Sequence, residues 1–285
     1  MSVFNACPCC VSTGLLIYGG GVAIVLLGFG KVLELTFPNA KLGIKVYKYI
    51  SAILSVVIAL VAIAYGVLST NESVRSFAFA KMMEAGATGS NRMDTLRCAT
   101  IQNLSGRILE IGPGPGTNFR CWQNNTAITE WVGVEPNAYF QKRQLAESVT
   151  RNISFPVSTV WLKGEHLDVK PESFDYVVGT HVLCSVDDVD SVLKQVSRAL
   201  KPHGEYHFME HVAAEEGSSL RGWQQFFAPA FYVIGNGCKF KALWNNLSPN
   251  TGLKGFDVEL NFVDAADSVP FPLIAPHVTG IAIKL

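Results

Sequence analysis

The stretch Ile108-Leu109-Glu110-Ile111-Gly112-Pro113-Gly114-Pro115-Gly116-Thr117-Asn118 decides the fold of this chain. A short apolar strand contains the carboxylate of Glu110, and a turn with glycine at every second position follows it. Because glycine has no Cβ, such a turn can bend tightly and let a ligand approach the backbone. The residues after Gly116 read as the start of a helix, whose free N–H groups suit a polar or anionic ligand. The stretch predicts a strand, a turn and a helix that bind a nucleotide.

A second strand supplies a carboxylate for the ribose of that nucleotide. In the run Trp131-Val132-Gly133-Val134-Glu135-Pro136-Asn137, Glu135 follows the glycines by about 20 residues, where a ribose lies in a doubly wound fold. Pro136 ends the strand, so the carboxylate stands at its tip. A dinucleotide dehydrogenase would need glycine at position 117, where this chain has Thr117. The spacing therefore disfavours a dinucleotide, and a turn beside an ordinary surface glutamate is the other interpretation.

From residue 105 onward, strand and helix patterns alternate. Strands are predicted at 107–111, 130–135, 157–162, 174–180 and 204–210, with helices over 117–124, 137–149 and 187–200. This alternation predicts a parallel sheet covered on both faces by helices. Ligands bind outside the carboxyl ends of such strands, so Gly164 and Glu165 are expected near an adenine. For the same reason, His181 and Cys184 are expected near the reacting centre.

Together these motifs resemble the class I S-adenosylmethionine-dependent methyltransferases, in the order Glu110 and the three glycines, Glu135, Gly164-Glu165, and the strand 174–180. That likeness implies an α/β fold with a doubly wound, seven-stranded, Rossmann-like sheet whose last strand is antiparallel. The segments 256–263 and 278–284 suit its final two strands.

More narrowly, the chain is similar to the animal membrane-anchored methyltransferase-like proteins that methylate alkyl thiols at the endoplasmic reticulum and lipid droplets. The similar segments are 182–186, 208–215, 223–225, 237–238 and 276–280. Two departures stand out. The family usually has Gly-Cys-Gly-Thr-Gly where this chain has Gly112-Pro113-Gly114-Pro115-Gly116, and His181 is not its usual residue.

The resemblance implies S-adenosylmethionine as cofactor, a small-molecule thiol or lipophilic acceptor, and no metal. The predicted cofactor-binding residues are Glu110, Gly112, Gly114, Gly116, Asn118, Glu135, Pro136, Asn137, Gly164, Glu165 and Thr180. His181, Glu210 and His211 are the candidate catalytic residues, because a base helps to ionise a thiol. His207 is less favoured, because it lies further from the end of its strand. Structural hydrogen bonding by each of these residues, or a reaction without a base, stays open.

The acceptor pocket is expected after the fifth strand, where aromatic side chains crowd together. They are Trp223, Phe226, Phe227, Phe231, Tyr232 and Trp244. We interpret about half of them as core. The others would line an apolar cleft near a bilayer, where a lipophilic substrate partitions.

The composition points to a membrane and away from nucleic acid. The 285 residues carry 23 basic and 23 acidic side chains, so no net charge attracts a polyanion. Two uncharged apolar runs, 13–30 and 49–68, are about long enough to cross a bilayer as helices. Six glycines in the first run lower its helix propensity, so one span is the alternative. We predict N-terminal transmembrane helices within a membrane anchor over 1–70, a helical lead-in over 71–104 and a class I methyltransferase domain over 105–285.

Two arguments about the orientation of that anchor in the membrane disagree. Four lysines lie between the two runs, whereas Arg75 and Lys81 follow the second, which places residues 71–285 across the membrane from the cytosol. A methyl donor made in the cytosol favours a cytosolic domain, and we expect that orientation, through a single span or a hairpin that does not cross.

Two further residue types bear on the compartment. Cys98, Cys121, Cys184 and Cys238 show neither metal nor disulfide spacing, which suits a reducing compartment. The cluster Cys7, Cys9 and Cys10 is a candidate for palmitoylation, with incidental thiols as the default. Glycosylation of any N-x-S/T sequon would place the domain in a lumen, although most such matches arise by chance. The sequons begin at Asn71, Asn103, Asn124, Asn152 and Asn246.

The leading hypothesis is therefore a membrane-associated methyltransferase of small or lipophilic thiols, located at the endoplasmic reticulum, with lipid droplets as a second location. A lipid or quinone methyltransferase is one alternative. A membrane or lipid-droplet adaptor that binds the cofactor without transferring its methyl group is the other.

Overall fold

Seven strands form one mixed sheet in the order β3-β2-β1-β4-β5-β7-β6. Their bounds are β1 Gly106–Ile111, β2 Ile128–Val134, β3 Val157–Val160, β4 Phe174–Thr180, β5 Leu200–His211, β6 Phe256–Asp264 and β7 Pro276–Lys284. Strands β1 to β5 are parallel, and β7 lies antiparallel between β5 and β6. The predicted doubly wound, seven-stranded sheet with an antiparallel last strand is thus confirmed.

The computed structural model describes residues 29, 31–32, 36, 41–86, 92–269 and 271–285. These residues divide into two compact units, one that ends at Arg75 and one that comprises Ser76–Leu285. The helices are α1 Lys41–Thr70, α2 Glu72–Gly86, α3 Arg92–Ile101, α4 Gln141–Thr150, α5 Val189–Ala199 and α6 Ser219–Ile234.

Helix α1 is the one helix in the described part of the chain that is long and apolar enough, over Gly43–Thr70, to cross a membrane. Its apolar side chains point in every direction, and Ile50, Ile53 and Leu60 are each at least 60% exposed. A helix that is apolar all round has no face suited to water. The predicted first span, 13–30, lies outside the described residues apart from Phe29, so a second spanning helix stays a prediction.

The two faces of the sheet are covered by different kinds of side chain. On one face, α5 contributes a fully buried stripe of Val192, Leu193 and Val196, as its helical spacing predicted. On the other face, aromatic rings fill the space beside β1 and β2. Burying each large apolar side chain stabilises the fold by about 1.5–3 kcal/mol.

The predicted helix over 117–124 is wrong, because a short 3-10 turn, Thr117–Trp122, follows β1 instead. A 3-10 turn repeats every three residues, so Phe119 and Trp122 lie on the same face. Both are almost fully buried, and the Phe119 ring lies 4.8 Å from that of Trp131. Aromatic packing at this spacing favours the tighter turn over an α-helix.

A disulfide joins Cys98, on α3, to Cys121, in the 3-10 turn. The expectation that the scattered cysteines lack a disulfide partner is therefore wrong for this pair. The two residues are 23 positions apart, and β1 returns the chain to α3 between them. The spacing of the two cysteines in the sequence does not show that the chain comes back to α3. Cys184 and Cys238 are buried free thiols.

Candidate active site

The carboxyl ends of β1, β2, β4 and β5 meet at one edge of the sheet, because these strands are parallel. The turn after β1, Glu135 after β2 and the end of β4 therefore lie close together. Strand β7 runs the other way and begins at this edge, where its His277 pairs with His211 of β5.

The glycine turn after β1 packs against the protein at Gly112 and has free space beside it at Gly114. Gly112 and Gly114 have φ values of 65° and 55°, which side chains disfavour. A Cβ at Gly112 would lie 2.4 Å from Cγ2 of Val182, whereas nothing lies within 4 Å of one at Gly114. A ligand can therefore approach the backbone at Gly114.

Glu135 connects this turn to the tip of β2. Its Oε2 accepts from the Gly114 N–H and its Oε1 from the Asn137 N–H, both at 2.9 Å. Burial raises the pKa of Glu135 to about 7, although both backbone bonds lower it. Pro136 is exposed beyond it, and the Asn137 side chain donates to the Ser76 carbonyl. Each carboxylate oxygen keeps a second lone pair, which suits a ribose hydroxyl.

A buried polar group centred on Asn118 lies behind the glycine turn. Its Nδ2 donates to Glu110 Oε1 at 2.8 Å and to Thr180 Oγ1 at 3.1 Å, and Trp131 donates to Glu110 Oε2. Burial raises the pKa of Glu110 to about 7, against the effect of these bonds. The Oδ1 of Asn118 is buried without a partner. Because buried acceptors are almost always paired, the amino group of a ligand fits this position.

The predicted adenine-binding pair has contacts within the protein. Gly164 packs against Ile111. Glu165 Oε1 accepts from the backbone N–H of Asp187 at 2.7 Å and of Asp188 at 3.3 Å, just before α5. These bonds place the Glu165 carboxylate at the same edge of the sheet, and its contact with an adenine stays a prediction.

The hydrogen bonds of His181 and His277 determine which of their ring nitrogens carry protons. His277 Nδ1 lies 3.0 Å from the Ala275 carbonyl oxygen, which can only accept, so Nδ1 carries the proton. Its Nε2 then accepts from His181 Nε2, which is 3.0 Å away. His181 Nδ1 is left with a lone pair. Burial, reinforced by the charge of Arg97, holds the pKa of His181 well below its usual value. His181 is thus neutral at pH 7, in the form that accepts a proton.

A chain of buried thiols lies beside these histidines. His211 Nε2 is 2.9 Å from Cys238 Sγ, which in turn donates to Cys184 Sγ at 2.9 Å. This bond lowers the pKa of Cys184 and raises that of Cys238. Although burial lowers the pKa of His211, the nearby Cys184 thiolate raises it overall. The three ligand atoms lie within 4.8 Å of one another, a set that zinc can bind, so the predicted absence of metal stays a prediction.

Glu210 and Lys241 hold the segment after β4 in place. Glu210 Oε1 accepts from the N–H groups of Val182 and Leu183, at 3.0 and 3.1 Å, while its Oε2 is buried without a partner. Lys241 Nζ donates to the Leu183 and Val186 carbonyls. Burial raises the pKa of Glu210 to about 8, so at pH 7 its carboxyl is mostly protonated.

Glu210→Gln is expected to change how stability depends on pH. Between 4.5, its usual value, and about 8, the folded protein keeps a proton on Glu210 that the unfolded chain releases. The free energy of unfolding therefore falls as pH rises through this window. The neutral glutamine should remove this dependence and raise stability at pH 8 by on the order of a few kcal/mol. Thermal unfolding of both proteins at pH 5 and pH 8 measures the effect, and parallel pH trends would contradict it.

Three residues of the site were not predicted: His277, Cys238 and Lys241. Cys238 and His277 belong to segments that carry the family resemblance, but only the register of β5 with β7 brings His277 to His211. His207, disfavoured as a base, bonds to the Thr100 carbonyl and to Glu205.

None of the six predicted acceptor aromatics is fully buried, so the expectation that about half of them are core is wrong. The Phe231 ring lies 6.1 Å from His211, whereas Trp223 and Phe226 of α6 are 55% and 66% exposed. Phe231 therefore borders the site, and the outer pair leaves apolar surface uncovered in this unit.

Known proteins are similar to this chain in sequence and in fold. Residues 83–242 match the family model described as a methyltransferase domain. Thiol S-methyltransferase TMT1A of Homo sapiens is 35% identical over 182 residues, 62% of this chain and 70% of that protein. Thiol S-methyltransferase TMT1B of Homo sapiens is 33% identical over 194 residues, 65% and 74% respectively. Phosphoethanolamine N-methyltransferase 2 of Haemonchus contortus, solved with S-adenosyl-L-methionine, has a TM-score of 0.53 at 16% identity, covering 76% of this chain and 59% of that one. The last comparison concerns the fold alone.

Proposed function

This chain belongs to the methyltransferase family that includes the thiol S-methyltransferases, and on that premise we propose that it transfers a methyl group from S-adenosylmethionine to a small or lipophilic thiol. The observation that carries the proposal is His181, which directly follows β4 at the edge of the sheet that carries the cofactor turn and whose Nδ1 keeps a lone pair. A base helps a thiol acceptor because the thiolate, and not the thiol, is the nucleophile.

The cofactor end of the site fits S-adenosylmethionine. Glu135 would accept the ribose hydroxyls, the backbone at Gly114 leaves room beside it, and Asn118 Oδ1 would accept from the amino group. When bound, the cofactor supplies an electrophilic methyl group on a sulfonium centre. Thr180 holds Asn118 in place through its hydroxyl.

At the acceptor end, His181 takes the proton from the acceptor thiol at Nδ1. Two hydrogen bonds in series stabilise the positive charge that forms on His181. His181 Nε2–H donates to His277, and His277 Nδ1–H donates to the Ala275 carbonyl. This is the arrangement of a base oriented by a third group. Glu210 and His211 border the same space, and we assign them to shaping it.

We propose that helix α1 anchors the enzyme in the endoplasmic reticulum membrane, with the lipid-droplet surface as a second location. The support is the apolar surface of α1 over Gly43–Thr70. The exposed aromatics Trp223 and Phe226 of α6 would receive lipophilic acceptors.

The proposal predicts that membranes carrying the full chain transfer labelled methyl from S-adenosylmethionine to a simple aliphatic thiol. The matching alcohol should accept little, because an alcohol ionises far less readily than a thiol near neutral pH. Methyl transfer is measured as labelled thioether extracted into organic solvent. Membranes from cells without the chain provide the background.

Two other results of this assay would favour a different function. Label in extracted lipid or quinone but not in thioether would favour a lipid or quinone methyltransferase. Cofactor binding without transfer to either class would favour an adaptor and contradict the proposed activity.

A further inference from the structure

Three glycosylation sequons lie together at the edge of the sheet opposite the candidate active site. Asn103 precedes β1, Asn124 precedes β2 and Asn152 precedes β3, each within an N-x-S/T triplet. Strands β1, β2 and β3 are parallel neighbours, so the segments that enter them share one edge. The active-site residues follow the strands and occupy the other edge. A large group on these three asparagines would therefore leave the acceptor site open.

Each of the three asparagines is accessible to a modifying enzyme. All are exposed, and Asn124 and Asn152 lie in turns with φ values of 64° and 51°. Asn246 differs, because it is half-buried and its Nδ2 donates to Asp190 at 2.8 Å. Asn71 also differs, since it directly follows α1 and its Oδ1 accepts from the Val74 N–H.

The Cys98–Cys121 disulfide is an independent observation that points to the same compartment. Disulfides persist in oxidising environments such as the lumen of the endoplasmic reticulum and are rare in the cytosol. This bond lies in the unit Ser76–Leu285, the same unit that carries the three sequons.

The distribution of basic residues around α1 indicates the same lumenal orientation of the unit that follows it. Lys31, Lys41, Lys45 and Lys48 lie before or at the start of the helix, whereas Arg75 and Lys81 follow it. Excess Lys and Arg mark the cytosolic end of a span. The residues after Thr70 then emerge on the far side of the membrane.

From these three observations we infer that the unit Ser76–Leu285 lies in the lumen and is N-glycosylated at Asn103, Asn124 and Asn152. The bond between Asn Nδ2 and C1 of an oligosaccharide forms, and the C1–oxygen bond to its polyprenyl pyrophosphate carrier breaks. The amide loses a proton, and the polyprenyl pyrophosphate leaves with the electron pair of the broken bond. A thiol–disulfide oxidase takes the two electrons and two protons that Cys98 and Cys121 release.

This inference reverses the cytosolic orientation that a cytosolic methyl donor led us to expect. It requires that the donor reach the lumen. It also selects between the two proposed locations, because a lipid droplet is bounded by a monolayer and has no lumenal side.

Expression of the full chain in animal cells tests the inference without any methyl-transfer assay. Treatment with peptide N-glycosidase should increase the electrophoretic mobility of the protein. Asn103→Gln, Asn124→Gln and Asn152→Gln should each remove one step of the shift. Ser154→Ala should act like Asn152→Gln, whereas Ser154→Thr keeps the sequon and should keep the shift. This pair separates loss of a glycan from a change in folding.

A sequon-bearing tag after Leu285 and a thiol-labelling assay complete the test. Glycosylation of the tag but of none of the three asparagines would overturn the modification sites. An unmodified tag would overturn the lumenal orientation as well. Cys98 and Cys121 should react with a maleimide only after reduction in the denatured protein, and labelling without reductant would remove the support from the disulfide.

Discussion

Glu135→Ala is expected to weaken S-adenosylmethionine binding by roughly 100-fold or more. The substitution would remove the proposed acceptors of two ribose hydrogen bonds. It also frees the backbone N–H of Gly114, which Glu135 holds at 2.9 Å. Hydrogen bonds to a charged group contribute about 1.5–3 kcal/mol each, and two of them account for a change of this size. Isothermal titration of the purified full chain with the cofactor measures the loss.

A second glutamate on the same strand provides the matched control. Glu130 is partly exposed and forms an ion pair with Arg107, far from the tip of β2. A surface ion pair contributes about 0–1 kcal/mol to stability, so Glu130→Ala should bind the cofactor as the parent does. Equal affinities for the two variants would refute the assignment of Glu135 to the ribose.

His181→Ala is expected to lower kcat for thiol methylation by roughly 10²- to 10⁴-fold while leaving cofactor affinity unchanged, because the base acts only on the acceptor. The pH profile gives the more specific result. In the parent enzyme the rate should fall at low pH, as His181 becomes protonated below its lowered pKa. In the variant this acidic limb should move to higher pH, because the rate then follows ionisation of the acceptor thiol itself. Initial rates between pH 4.5 and pH 9, at saturating cofactor, measure both effects.

Two further histidine variants separate catalysis from positioning. His277→Ala removes the acceptor of the His181 Nε2–H and should shift the acidic limb without abolishing it. His203→Gln changes an exposed residue near the amino end of β5 and should leave the profile unaltered. An acidic limb at the same pH in His181→Ala as in the parent would exclude His181 as the base and favour ionisation of the thiol by the positive charge of the cofactor.

The parts of the site that the sequence could predict are those encoded locally. Glu135 was placed at a strand tip because an apolar run, a carboxylate and a proline follow one another directly. The glycine turn was likewise readable, since each glycine adopts the positive φ that its residue type suggests. The seven-stranded sheet with its antiparallel last strand followed from the resemblance to a known family, to which these local motifs led.

The remainder depends on contacts between distant segments. His277 reaches His181 only through the register of β7 with β5, and Cys238 reaches Cys184 across 54 residues. The 3-10 turn in place of the predicted helix reflects the packing of Phe119 and Trp122 around Trp131, which no local pattern contains. The same holds for the Cys98–Cys121 disulfide, which overturned the expectation of unpaired thiols.

The position of β7 between β5 and β6 constrains the order in which the molecule can be assembled during synthesis. Strand β6 is made before β7, but its strand neighbour in the described sheet is β7, so it cannot join the sheet when it leaves the ribosome. Until β7 inserts, β5 and β6 both present unpaired edges, which attract chaperones or other chains. His277 arrives with that insertion. A nascent chain can therefore form its cofactor turn early, whereas His181 gains its hydrogen-bond partner His277 only in the final step of folding.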